Sequence, residues 1–499
     1  MTTPWASPFL GKQNMEKINS QKVGFFRFKK LKNRYLLTND IGRFIFLTEK
    51  EFRNFLAGNL TKKTVPLVEL VEKGFVRDCL SFNDLIKKYA KRNVGLRFGP
   101  TLHIIILTLR CNHKCVYCHA SVVDENVEGW DMNLKTAKKT VDTIMAAPTP
   151  ALTIEFQGGE PLLNWPVLKY IIEYGQEKAE KNKKRARFGL VSNLSLMTED
   201  KFSYLLSKQM VSLCASLDGP EELHNKNRIY LGGNSYQNTI KWLKAWKQAV
   251  EQRRSRGYKP NALITITRFS LPYWKEIVDE YIKLGLGANI YPRMLNPFGF
   301  TVNTWEEIGY SAEEFIKFYK KILDYILELN RKGIYCRERL ATILLTKILT
   351  DADPGHLDYR SPCGAGIGQI AYNYNGDVYT CDEGRMMARM GYNEFRIGNI
   401  FKTDFRGLMA SETVKTMAIA SCLEGLTGCA DCVYVPYCGV CPVFNYAKYG
   451  NIFSQAPNNE RCQIMTAIFD YLFLKLRESK TRKIFEYWVE KGAGHGEPA

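Results

Sequence analysis

Three cysteines stand close together on one run, Cys111-Asn112-His113-Lys114-Cys115-Val116-Tyr117-Cys118. Thiolates are soft ligands, suited to iron–sulfur clusters and to zinc. Three of them on one tight loop can cap three corners of a cubane and leave the fourth iron open to a substrate. Structural zinc takes four ligands, and His113 or His119 would complete such a site. The spacing alone leaves both metals open. Eight of the fourteen cysteines lie toward the C-terminus: Cys363, Cys381, Cys422, Cys429, Cys432, Cys438, Cys441 and Cys462. Their run Cys429-x2-Cys432-x5-Cys438-x2-Cys441 pairs C-x2-C units as zinc knuckles do. With a net charge of +19, a zinc-stapled RNA-binding or scaffolding protein is one reading of the chain.

Holding these residues in place requires a framework. From residue 100 to about 300, strand and helix patterns alternate. Candidate strands are Leu102–Leu107, Leu152–Phe156, Phe188–Val191, Ser212–Ser216, Ala262–Thr267 and Ala288–Pro292, with helical stretches such as Thr136–Ala146 and Tyr236–Gln252 between them. That alternation predicts an α/β fold with a parallel sheet, open or curled into a barrel. Ligands in such sheets sit at the carboxyl ends of the strands. The notable motifs fall there. The cysteine run follows the first strand and Gln157-Gly158-Gly159-Glu160-Pro161 the second. Ser192-Asn193 ends the third, and Ser216-Leu217-Asp218-Gly219-Pro220 the fourth, with His224 and Arg228 beyond. Glycines let backbone approach a ligand closely, and arginine offers a fork suited to a carboxylate.

These motifs, in this order, resemble the radical SAM superfamily, whose signature is C-x3-C-x2-C with an aromatic before the last cysteine. Tyr117 holds that slot and is counted with the cofactor-binding residues. The resemblance implies a partial (βα)6 TIM-type barrel over residues 96–300. It also implies a [4Fe-4S] cluster on Cys111, Cys115 and Cys118, and S-adenosylmethionine (SAM) on the open iron. It assigns Gly158, Gly159 and Glu160 to the methionyl amino group and Ser192 with Asn193 to the ribose side. Ser216 and Arg228 fall to the methionyl carboxylate. The implied chemistry is reductive cleavage of SAM to a 5′-deoxyadenosyl radical, which abstracts a hydrogen atom from an unactivated carbon.

The C-terminal cysteines resemble the SPASM domain, which bears auxiliary [4Fe-4S] clusters in peptide-modifying radical SAM enzymes. That pattern ends C-x2-C-x5-C-x3-C, a gap, then C; this chain has x2 in the last spacing. The resemblance implies one cluster on Cys429, Cys432, Cys438 and Cys462, and another on Cys363, Cys381 and Cys441. The second would lack the upstream cysteine of some members, where Leu357 stands, so its fourth corner is open or filled by His356, Cys422 or a substrate thiolate. Asp382, directly after Cys381, corresponds to an aspartate thought to act as a base in sulfatase-maturing relatives. Cys79, Cys214 and Cys336 match nothing and are expected to be buried as small hydrophobes.

Residues 21–95 read as a small α+β unit. Phe25–Lys29, Tyr35–Thr38 and Phe44–Leu47 read as strands. Thr48 and Glu51 resemble a capping box before a helix from Glu49 to Leu56, and Leu67 to Lys73 reads as a second helix stopped by Gly74. Residues 1–20 are expected to be a flexible N-terminus, 301–355 a helical bridge, 356–465 the cysteine-rich domain, and 466–499 a helix and tail. Phe25-Phe26-Arg27-Phe28, Arg34–Asp40 and Gly42–Leu47 resemble the opening of the His-Xaa-Ser system radical SAM maturases. That resemblance implies a small precursor peptide with His-Xaa-Ser repeats, gripped by strand addition to the N-terminal unit. It also implies a second radical SAM partner, with reduced ferredoxin or flavodoxin as electron donor. An anaerobic sulfatase-type maturase making formylglycine is the alternative within enzymes. The most apolar stretch, Leu102 to Leu109, is too short to span a bilayer, and no base-reading motif favours nucleic acid. No secretory signal pattern is read, so the cytoplasm is the expected compartment.

Overall fold

The computed structural model describes residues 18–79, 81–208, 210–252, 258–354, 357–454 and 456–494. The expected flexible N-terminus lies almost wholly outside the described residues, as does His356.

Three strands open the described chain, β1 (Arg27–Leu31), β2 (Arg34–Thr38) and β3 (Phe44–Leu47), paired antiparallel in that order. Helix α1 (Glu49–Ala57) starts on its capping box: Thr48 Oγ1 accepts from the Glu51 N–H at 3.3 Å, and the Glu51 carboxylate accepts from the Thr48 N–H at 2.7 Å. α2 (Leu67–Glu72) follows, then α3 (Phe82–Arg92), which the sequence pattern did not reveal. The unit is fastened to the C-terminal region. Arg27 Nε donates to the Ala430 carbonyl at 2.6 Å, Thr38 Oγ1 to the Val433 carbonyl at 2.7 Å, and Tyr437 to the Gly42 carbonyl at 3.1 Å.

Six strands then run parallel and pair in chain order: β4 (Leu102–Thr108), β5 (Ala151–Gly158), β6 (Arg185–Ser192), β7 (Val211–Ser216), β8 (Asn261–Thr265) and β9 (Pro292–Arg293). Between them lie α4 (Leu134–Met145), α5 (Trp165–Lys181), α6 (Glu199–Ser207), α7 (Glu221–Asn227), α8 (Ser235–Gln252) and α9 (Trp274–Lys283). This is the α/β partial barrel expected from the alternation. The sixth strand starts later than the expected Ala288. Residues 287–290 instead pair with the chain entering from the bridge, Arg337 N–H donating to the Gly287 carbonyl at 2.9 Å, and Gly287–Asn289 turn as a short 3-10 segment.

The two faces of the strands differ. Leu152, Ile154 and Phe156 of β5 are buried in the hydrophobic core. Phe156 stacks on Phe188 of β6 with ring centroids 6.2 Å apart, each ring contributing about 2–3 kcal/mol by burial. The alternate positions, Glu155 and Gln157, line the barrel lumen. Parallel strands covered on both faces are usually apolar on both; this lumen is polar.

Beyond β9 come α10 (Thr301–Ile308), α11 (Ala312–Arg331) and α12 (Arg339–Leu349). The helical bridge is broken after α11, where Gly333 at φ +83° turns the chain. The C-terminal region then rejoins the barrel. β10 (Gln369–Tyr372) pairs parallel with β4, and β11 (Asp377–Tyr379) and β12 (Arg396–Asn399) add antiparallel, giving one nine-stranded sheet in the order β9-β8-β7-β6-β5-β4-β10-β11-β12. The short helices α13 (Asp382–Ala388), α14 (Phe405–Met409), α15 (Glu412–Ala420) and α16 (Pro442–Tyr449) follow. α17 (Glu460–Leu476) packs on α11, and α18 (Ser479–Gly494) on α12. Among the described residues no helix is long and apolar enough to cross a membrane.

Candidate functional site

The loop from Arg110 to Asp124 leaves β4 and is tied down at every side. Cys111 pairs with Asp124 and Cys115 with Arg228 in two-residue bridges. The carbonyls of Val116, Tyr117 and Cys118 accept from Thr304 Oγ1, Thr301 Oγ1 and the Phe300 N–H at the start of α10, at 3.0, 3.2 and 3.0 Å. Cys111, Cys115 and Cys118 thereby face one another closely enough for their charges to interact. All three are free thiols. Burial raises the pKa of Cys111 and pushes Cys115 up to about 12, even though Arg228, with Nη1 3.9 Å from the Cys115 sulfur, pulls it down. Ligation requires deprotonated sulfur, so metal binding here would release protons.

Arg228 is held by Asp218, Nε to Oδ2 at 3.2 Å and Nη2 to Oδ1 at 3.5 Å. The buried Asp218 also accepts from the Tyr117 hydroxyl at 2.6 Å and the Thr265 N–H at 3.2 Å. Burial opposes the Arg228 charge, but Asp218, Tyr117 and Cys115 outweigh it and its pKa lies above the usual arginine value. Most of the fork expected to meet a SAM carboxylate is thus engaged inside the protein, and the Tyr117 hydroxyl is committed likewise. Ser216, at the end of β7, follows Ser212 and Cys214 along the row that lines the lumen.

The glycine motif has a structural cause. A Cβ on Gly159 would stand 2.0 Å from the Arg110 carbonyl oxygen, and one on Gly158, at φ +132°, would stand 2.2 Å from that of Thr108. Only glycine lets the end of β5 close on the end of β4. Buried Glu160 then accepts from Ser192 Oγ at 2.8 Å, the Asn193 N–H at 2.9 Å and the Leu162 N–H at 3.0 Å. Burial raises its pKa despite these donors. Asn193 Nδ2 reaches Asn112 at 3.0 Å and His113 Nδ1 at 2.9 Å. The other His113 nitrogen lies 2.9 Å from Ser235 Oγ, which is also 2.8 Å from His224 Nε2. Both ring nitrogens of His113 are therefore occupied, and the zinc site that would use it is not formed. His119 Nε2 lies 3.4 Å from the Asn296 N–H, and burial lowers its pKa to about 3. Ser235, and Tyr230 stacked on His113 at 4.5 Å, were not legible in the sequence.

The C-terminal cysteines gather in two sets. Cys429, Cys432, Cys438 and Cys462 line one small cavity, which Cys441 also borders. Cys363, Cys381 and Cys441 share a second cluster of buried residues, where Cys381 and Cys441 cap α13 and α16 through their sulfurs. Cys422 is not with them; its thiol faces Glu424 at 3.4 Å. The acids whose charges reach the Cys363 set are Asp358 and Glu383. Asp382, expected as a base, is ion-paired with Arg385 at 2.8 Å, both buried. Of the three unmatched cysteines only Cys336 is buried. Cys79 is exposed on a surface turn, and Cys214 lines the lumen because β7 alternates it inward.

One cavity of about 240 Å³ joins these places. It fills the lumen and reaches His119 beside Cys118, Gln157 beside the glycines, and Asp382 and Glu383 beside Cys381. The signal for its polar walls in the sequence is the alternation Glu155-x-Gln157 along β5, with Tyr291-x-Arg293 leading into β9.

Comparison with known proteins agrees with this geometry. Residues 105–255 match the radical SAM superfamily. The chain is similar to the radical SAM cyclopropyl synthase TigE of Paramaledivibacter caminithermalis, 24% identical over 85% of this chain and 83% of the relative. It is similar to the cysteine-type anaerobic sulfatase-maturating enzyme of Clostridium perfringens, 25% identical over 76% of this chain and 98% of the relative. The solved structure of native anSMEcpe with bound AdoMet and Kp18Cys peptide shares the fold at a TM-score of 0.62 and 19% identity, covering 77% of this chain and all of that one. Residues 105–255 form a radical SAM domain, and the chain is a radical SAM enzyme, of the superfamily whose cofactors are a [4Fe-4S] cluster and S-adenosylmethionine.

Proposed function

We propose that this enzyme modifies a ribosomally made peptide by hydrogen abstraction, in the manner of SPASM-type maturases. The observation that supports it best is the cavity that runs from His119, next to Cys118, through the lumen to Asp382 and Glu383, next to Cys381. The donor chemistry fits the cofactors: three free thiols converge on one loop beside a guanidinium that offsets thiolate charge. On this reading Cys111, Cys115 and Cys118 hold the cluster, and SAM lies near Gly158, Gly159, Glu160, Ser192, Asn193 and Ser216. When bound, the pair supplies an organic radical able to break an unactivated C–H bond. The protein's own part is positioning. Asp218 and Arg228 fix the loop, Glu160 ties β5 to β6, and the lumen encloses the reacting carbon away from water. Cys429, Cys432, Cys438 and Cys462 hold one auxiliary cluster, and Cys363, Cys381 and Cys441 a second.

The substrate we assign is a small peptide with His-Xaa-Ser repeats, on the likeness of residues 25–47 to that maturase group. The peptide in the anSMEcpe structure and the cyclopropyl synthase relative support a peptide substrate. A second radical SAM partner and a reduced ferredoxin or flavodoxin complete the proposal. The sulfatase-type reading is favoured by the Clostridium sulfatase-maturating relatives. Anaerobically reconstituted protein, given SAM and a reductant, is offered a His-Xaa-Ser repeat peptide and a cysteine-containing sulfatase peptide. A mass change in the first alone is expected. A change only in the second would replace this reading with formylglycine formation.

A further inference from the structure

The cavity walls hold several charged side chains, and most are already answered. Arg461 pairs with Asp358, Asp382 pairs with Arg385, and Glu155 accepts from Gln157 Nε2 at 2.5 Å. Two are not. Arg293, at the end of β9, and Arg339, at the start of α12, both line the lumen. Among the described residues neither guanidinium forms an ion pair or donates a hydrogen bond. Glu155 and Glu383 line the same cavity and their charges interact with Arg293, but neither comes within ion-pair distance of either arginine. The two arginines are neighbours: both charges act on Glu155, and Arg339 lies over the ring of Tyr291 with 5.5 Å to its centroid, two residues before Arg293. Stacking orients a guanidinium plane and leaves its N–H edge free.

A guanidinium fork matches a carboxylate by two parallel charge-assisted hydrogen bonds. A charge enclosed in a cavity without a partner is costly, so a pair of them points to a ligand that supplies the partner. We propose that Arg293 and Arg339 form a carboxylate-binding subsite that anchors the peptide in the lumen through an acidic group. That group is the side chain of an aspartate or glutamate near the modified residue, or the peptide's own C-terminus. The inference rests on the reading of the chain as a peptide-modifying enzyme and names a feature of its substrate. The Arg461–Asp358 pair shows the alternative fate of an arginine in this cavity, since it already has its carboxylate and takes no part.

The test uses the full-length reconstituted enzyme and three short probes: acetyl-Ala-Glu-Ala-amide, acetyl-Ala-Gln-Ala-amide, and acetyl-Ala-Ala-Ala with a free C-terminus. Binding is measured by calorimetry, with SAM affinity measured in parallel. The expected result is a preference of roughly tenfold for a carboxylate probe over the glutamine probe, lost in both Arg293→Gln and Arg339→Gln with SAM affinity unchanged. The glutamate probe and the free C-terminus distinguish the two sources. Equal affinity of the wild-type enzyme for all three probes would overturn the subsite. So would weaker SAM binding in the variants, which would assign these arginines to the cofactor. Binding of the probes is read without turnover, so failure of the peptide-maturase reading shows separately, as absence of any peptide mass change.

Discussion

The Cys111, Cys115 and Cys118 loop and the Cys363, Cys381 and Cys441 set are built on opposite plans. Each offers three thiols, and each has an arginine–aspartate pair beside one of them: Arg228–Asp218 by Cys115, and Arg461–Asp358 by Cys441. The first set comes from one run of eight residues lashed to β4, α10 and the Arg228 segment. The second is assembled from residues 363, 381 and 441, brought together only when β10, α13 and α16 are all in place. Asp218 is fully buried, with three donors, whereas Asp358 and Arg461 keep side-chain exposures of 20% and 14%. The first loop is thus held by the protein's own hydrogen bonds. The auxiliary region, with short helices and few strands, leans more on what its thiols bind.

The sharpest way to break that comparison is to remove one thiol from each site. Cys118→Ala is expected to abolish 5′-deoxyadenosine formation, because its loop has no fourth ligand in reserve. Cys381→Ala is expected to leave SAM cleavage without peptide measurable while peptide product is lost. Equal loss of SAM cleavage in both would merge the two sites into one function.

Removing metal altogether tests the folding half of the contrast. In chelator-treated protein, amide exchange is expected to rise across residues 422–462, where Cys429, Cys432, Cys438 and Cys462 line their cavity. Strands β4 to β8 are expected to keep their protection. Matching loss of protection in those strands would show that the barrel depends on metal as much as the auxiliary region does.

The two arginine–aspartate pairs give a graded test. Asp218→Asn leaves Arg228 buried without its carboxylate, and breaking a buried pair costs about 3–5 kcal/mol. Asp358→Asn removes a half-open partner, and the loss is expected at roughly 1–2 kcal/mol. Urea midpoints of the two variants measure both. Equal midpoints would mean the pairs are equally placed.

The same contrast explains what was legible in the sequence. The loop is local, so the nearness of Cys111, Cys115 and Cys118 could be read from their spacing. The division of the C-terminal thiols into a group of four and a group of three came with the SPASM resemblance, not from spacing alone. What could not be read depends on long-range approach. The pairing of Asp382 with Arg385 leaves Glu383 as the less engaged carboxyl. The Gly159 requirement comes from a carbonyl on another strand. The lumen arginines sit at the edges of their elements, where strand periodicity fades. Cys79 and Cys214 were misplaced because cysteine type says little about which face of an element it occupies.

The effect that is smallest at neutral pH lies at the seam between the two regions. His103 of β4 pairs in register with Ile370 of β10, where the barrel sheet meets the C-terminal strands. Its ring is fully buried, with Nδ1 3.3 Å from the Tyr372 hydroxyl and Nε2 without a partner. Burial, opposed by the Pro100 backbone and aided by the nearby Lys184 charge, lowers its pKa from 6.5 to about 3. Between those values the unfolded chain binds a proton that the folded chain refuses. The stability it allows is therefore complete above pH 6.5 and is lost as pH falls toward 3, by up to about 1.4 kcal/mol per pH unit. His103→Gln keeps a hydrogen-bonding side chain at Tyr372 and removes the proton linkage. Plotted against pH, its urea midpoint is expected to fall less steeply than that of the native protein below pH 6.5 and to run parallel above it. Parallel curves throughout would show that His103 takes up its proton in the folded state, and that the seam admits water.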